Sequence, residues 1–102
     1  MIVNNIRFVE VYNKSGTPTF KEYSLREVYI NPDHVVCLRE NNDVTRLLME
    51  GALPDELDPR QQFTTVSLNK GTYGQDIIVI GPVRETHEKV IRSKDFVAGV
   101  MS

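Results

Sequence analysis

Two histidines and one cysteine are the only imidazole and thiol groups in this sequence of 102 residues, so nucleophilic or metal chemistry must centre on them. Asp33, His34 and Cys37 stand close together. A carboxylate, an imidazole and a thiol could act as orienting group, base and nucleophile, or as ligands of a zinc ion. On a strand, however, side chains alternate between faces, so His34 and Cys37 at i and i+3 point to opposite sides. They cannot easily share one ion or one proton. The expectation is a core thiol at Cys37 and a strand-end histidine at His34, with no catalytic residue and no metal site. His87 is followed by Glu88, but no second histidine stands four residues away, as a helical metal pair requires. It is expected to pack on the apolar face of its helix. Asp55, Glu56 and Asp58 form an acidic stretch without the spacing or the glycine of a calcium loop, and read as solvated surface.

Gly71-Thr72-Tyr73-Gly74 has the G-x-x-G form with which KH domains clamp a nucleic-acid backbone. In those domains it joins two helices. Here it joins two predicted strands, where a turn needs permissive residues. Lys70 and Tyr73 still place a cation and a stacking ring on one loop, and with Arg60 and Arg84 they are the residues that would hold a single strand of nucleic acid. The overall charge argues the other way. Twelve basic against fourteen acidic residues give a net charge of -2, whereas nucleic-acid and membrane surfaces call for a positive field.

The elements that position these residues follow from pattern. The chain has 102 residues, 40% hydrophobic and 25% charged, which fits a single globular domain with one modest core. Ile6–Tyr12 and Phe20–Ile30 read as a strand pair around the Asn13–Pro18 turn. In the second strand, Tyr23 and Leu25 share one face by the two-residue period while Val28 and Ile30 share the other. Either a β-bulge near Arg26-Glu27 brings them to one side, or both faces are partly covered. Pro32 interrupts the pattern, and His34–Glu40 is a third strand whose run Val35-Val36-Cys37-Leu38 predicts cover on both faces. Asp43 is a candidate N-cap for a short helix over Val44–Glu50, ended by Gly51. Ala52–Gln62, with Pro54 and Pro59, reads as a surface loop. Phe63–Leu68 and Asp76–Ile80 are the fourth and fifth strands, the latter expected at the centre of the core. After Gly81-Pro82 a helix is predicted from Val83, with Val83, His87, Val90 and Ile91 on its buried face. Phe96, Val97, Val100 and Met101 are too apolar for a free tail and should pack on the domain or on a second subunit. The predicted fold is therefore α+β: a five-stranded twisted antiparallel sheet or small open barrel, one short inserted helix and one C-terminal helix. Residues 44–62 form an insertion and residues 94–102 an apolar extension of one domain.

Residues Arg26–Val36, with their central Asn31-Pro32-Asp33, resemble the strand–Asn-Pro-Asp–strand core of the small flagellar FlbD-like family. Thr65–Gly71 is similar to the V-x-L-x-x-G hairpin of that family. The resemblance covers about half the chain. The first hairpin is longer here, and Val44–Gln62 has no counterpart in the short members. Family members are small accessory proteins without known catalysis, so the resemblance implies a compact β-module that acts by contact. It does not carry flagellar function to this chain.

Cys37 is the only cysteine, which excludes an internal disulfide and suggests a reducing compartment. The first residues lack a basic leader, and Ile77–Ile80 is too short to span a bilayer. The expected location is the cytoplasm, with no membrane role and no cofactor. Three function classes remain to be separated. The favoured one is a non-enzymatic protein-interaction or regulatory module, self-associating or part of a larger assembly, with Phe96 and Val100 as contact candidates. The alternative is a nucleic-acid-binding regulator using the sheet surface and the 70–74 loop. An enzyme comes last, and a pocket joining His34 or His87 to carboxylates is the observation that would revive it.

Overall fold

The computed structural model describes residues 5–14, 22–54, 57–70 and 73–101, with only the backbone of Lys70, Tyr73 and residues 94–101. Five antiparallel strands run through it: β1 (Ile6–Asn13), β2 (Tyr23–Ile30), β3 (Val35–Glu40), β4 (Phe63–Lys70) and β5 (Tyr73–Ile80). Their spatial order is β2-β1-β5-β4-β3, which puts β5 in the middle. That is the place its Ile77-Ile78-Val79-Ile80 run demands, since a central strand needs apolar residues on both faces. Two helices complete the α+β fold: α1 (Asn42–Met49), inserted between β3 and β4, and α2 (Val83–Met101), after β5.

β2 and β3 are consecutive in sequence yet lie at opposite edges of the sheet. Only Asn31 and the short 3₁₀ turn Pro32–His34 connect them. Four interstrand spacings of about 4.8 Å would separate these edges by roughly 19 Å in a flat sheet. Five extended Cα steps from Ile30 to Val35 reach at most about 18 Å. The sheet must therefore curl so that its edges approach, and the half-buried turn crosses the concave side, where α2 packs against it. No pairing joins β2 to β3, so the sheet stays open.

Each face of the sheet has its own core. On the concave face Ile6, Phe8, Ile30, Val66, Ile77 and Val79 pack with Val90 of α2. On the other face Val11 and Phe63 pack with Val44 of α1 and with Leu53, flanked by Tyr23, Leu25 and Leu57. This resolves the phase conflict in β2. Its register with β1 runs unbroken from Ile6↔Ile30 to Asn13↔Tyr23, so there is no bulge near Arg26-Glu27. Val28 and Ile30 serve one core, Tyr23 and Leu25 the other. The bulge lies instead in β3, between Val35 and Cys37.

Several expectations give way for the same reason, namely that neighbours rather than local pattern decide burial. β3 is an edge strand, so its apolar run is not covered on both faces: Val36 is 67% exposed and Cys37 is an exposed rather than a core thiol. The N-cap of α1 is Asn41, whose side-chain oxygen accepts from the Val44 amide at 2.9 Å, rather than Asp43. The 52–62 segment is not surface throughout, because Leu53 is driven into the second core. On α2, His87 faces solvent, and Ile91 is 41% exposed. Thr86 takes the buried position, its hydroxyl 3.1 Å from the Pro82 carbonyl and 3.4 Å from Oγ1 of Thr64. A threonine carries its own hydrogen-bond partners inward, which a search for apolar spacing overlooks.

Gly51 ends α1 with φ at +76°, in the region that an L side chain enters at a cost of about 1–2 kcal/mol. A β-carbon there meets nothing within 4 Å, so the strain would be purely conformational. Gly51→Ala is expected to destabilise the domain by about 1 kcal/mol in a urea melt. Unchanged stability would mean the turn relaxes out of the left-handed region.

Candidate ligand-binding cleft

By register, Ile6, Phe8, Glu10 and Tyr12 of β1 share the concave face with Ser24, Arg26, Val28 and Ile30 of β2. The alternation places a carboxylate where the neighbouring positions are core. Glu10 is 7% exposed. Its Oε1 accepts a hydrogen bond from Nε of Arg26 at 2.8 Å, directly across the strand pair. A buried carboxylate is costly unless it is paired, and Arg26 is its only bonded partner among the described residues.

Arg26 is held from two sides. Its guanidinium carbon lies 4.1 Å from the centroid of the Tyr12 ring, a cation–π distance. The hydrogen bond to Glu10, reinforced by the charge of Glu10, raises the pKa of the guanidinium. The Nη groups make no hydrogen bond among the described residues, and the Arg26 side chain is 54% exposed. A fixed guanidinium plane therefore presents its outer donors to solvent, and this fork matches carboxylate geometry.

This pair lines a cleft of about 520 Å³ on the concave side of the curled sheet. Val28, Ile30, Leu68 and Ile77 supply its apolar lining, and Asn5, Asn31, His34 and Gln75 supply polar groups. A mostly preformed concavity with a few convergent polar groups is the form that ligand sites take. The short link between β2 and β3 explains why His34 is here: the curl that lets Pro32–His34 cross the concave side brings it to the cleft.

The residues singled out from sequence do not converge on this site. Lys70 and Tyr73 form the last pair of the β4–β5 ladder, while Phe63↔Ile80 closes its other end. Arg60 precedes β4 and Arg84 follows β5, so both belong to that other end of the sheet. Arg60 is exposed and lies 3.5 Å from Asp58. The backbone of Phe96 and Val100 continues α2, but their side chains, like those of Lys70 and Tyr73, lie outside the described residues, as do Asp55, Glu56, Gly71 and Thr72. Only His34 lines the cleft. Glu10 and Arg26 were not among the expected site residues. The available signal was their phase, since both occupy the apolar register of their strands, directly opposite each other.

Comparison with protein-family models, with curated proteins and with solved structures returns no match for this chain.

Proposed function

We propose that this domain is a non-enzymatic protein-interaction module and that the Glu10–Arg26 cleft is where its partner is held. The carrying observation is the cost of the site itself. A carboxylate buried within a core face and paired with a half-exposed arginine does little for stability that an apolar pair would not do as well. What it adds is an oriented polar group at the wall of a cleft. The absence of a helix able to cross a membrane among the described residues and the resemblance to an accessory family without known catalysis fit this reading.

The test is recovery of a partner in the native host. Tagged wild-type protein and the Arg84→Ala control should retain the same co-purifying protein, identified by mass spectrometry, while Arg26→Ala, destabilised by leaving Glu10 unpaired but still folded by its amide spectrum, loses it. A strictly monomeric protein by light scattering, with no partner recovered, overturns the proposal. So does full retention by Arg26→Ala.

Catalysis draws on one observation: His34 and Glu10 line the same cleft. Glu10, however, accepts its hydrogen bond from Arg26, and among the described residues no hydrogen bond joins the His34 ring to a carboxylate. A general base lacking an orienting partner is a weak candidate. The nucleic-acid alternative requires Lys70 and Tyr73 to act with Arg60 and Arg84 from opposite ends of the β4–β5 ladder, which favours the cleft over that surface.

A further inference from the structure

The cleft lies beside a sheet edge that no described strand covers. β2 is an end strand that pairs with β1 alone among the described strands. In an antiparallel ladder, half the backbone N–H and C=O groups of such a strand point away from its neighbour. Arg26 stands near the middle of β2, and its side chain is on the concave face with Val28 and Ser24. A strand added along this edge would place one of its own side chains directly opposite Arg26, at cross-strand distance. Glu10 engages only Nε, and the Nη donors of Arg26 make no hydrogen bond among the described residues, which leaves them to an acidic side chain long enough to reach them.

A second copy of β2 is a poor occupant. In a twofold antiparallel pair, the two registers of greatest overlap centre on Arg26 or on Glu27. The first sets Arg26 against Arg26 and the second Glu27 against Glu27, and like charges directly opposite are destabilising. The edge therefore selects a different sequence.

We propose that β2 receives an extended segment of the partner protein by strand addition, with an Asp or Glu side chain seated on the Nη groups of Arg26. In this arrangement the backbone ladder supplies affinity and the acidic residue supplies register. Glu10 is a positioning residue: it holds Nε, Tyr12 holds the guanidinium plane, and the partner's carboxylate takes the outer donors. Apolar residues two positions to either side of the acid would face Val28 and Ser24 at the mouth of the cleft. The inference rests on the interaction reading above and specifies the chemistry of the bound segment.

The test uses N-acetylated, C-amidated heptapeptides with alternating threonine and valine, the central residue being Glu, Gln or Lys, titrated into the full-length protein. Amide shifts should run along Tyr23–Ile30 and not along Val35–Glu40. The Glu peptide should bind on the order of tenfold more tightly than the Gln peptide, and the Lys peptide more weakly still. The preference for Glu should shrink as salt is raised, and it should vanish in Arg26→Gln. Equal binding of the Glu and Gln peptides, shifts confined to β3, or no binding by any peptide overturns the inference. Those results would leave the interaction reading standing if Arg26→Ala still loses its partner in the host, so the two failures are distinguishable.

Discussion

Phe63→Ala is expected to remove about 3–5 kcal/mol of stability, the range for truncating a fully buried aromatic side chain. Phe63 is 0% exposed. It opens β4 and belongs to the core formed with Val11 of β1, Val44 of α1 and Leu53 of the following segment. Its backbone carbonyl also accepts the amide of Asn41 at 3.0 Å, so the entry to α1 and the start of β4 are tied together. Removing the ring leaves a cavity where three separate pieces of chain meet. A domain of this size has about 5–15 kcal/mol in total, so the variant should show a much lower urea midpoint or fail to fold. Met49→Ala is the control. Met49 is 79% exposed on α1, and its truncation should move stability by no more than about 0.5 kcal/mol. Similar midpoints for the two variants would contradict the second core.

Val90→Asp should be comparably severe, with a loss of more than about 3 kcal/mol, because it places a charge without a partner inside the concave core. Val90 is 6% exposed and packs with the cluster that includes Phe8, Val66, Ile77 and Val79. It anchors α2 to the sheet. Ile91→Asp, one residue on, should cost no more than about 0.5 kcal/mol, since Ile91 is 41% exposed. Apolar spacing alone puts both residues on the buried face, so this pair measures the rotation of α2 about its axis. Thermal melts and amide exchange in β4 and β5 report the result. Equal costs would mean that the helix seats on Val90 and Ile91 together rather than on Thr86 and Val90.

Much of the architecture was legible in the sequence because it depends on local rules. Tyr23 and Leu25 against Val28 and Ile30 already posed the alternative of a bulge or of a strand covered on both faces. The choice between them needed the register with β1 and the positions of α1 and Leu53, which come from distant parts of the chain. The site was less legible. Glu10 and Arg26 are sixteen residues apart and become a pair only through the β1–β2 register. His34 joins them through the curl of the sheet, a property of strand order that no single strand encodes. The residues expected at a binding surface were chosen by side-chain type on loops, and strand order then separated them.

By itself, the sequence determined the periods: five strands read from alternation and β-branched runs, a helix ended by Gly51, another begun after Gly81-Pro82, and β5 as the most apolar strand. These follow from side-chain sterics and from the backbone freedom of glycine and proline, which act within a few residues. Tertiary structure alone decided that β2 and β3 lie at opposite edges, that Val36 and Cys37 are left exposed, that Thr86 rather than His87 is buried, and that Glu10 meets Arg26 beside a cleft. Each of these is a matter of which distant segment lies alongside. Burial and ion pairing are properties of neighbours in space, and those neighbours exist only once the sheet has formed and curled.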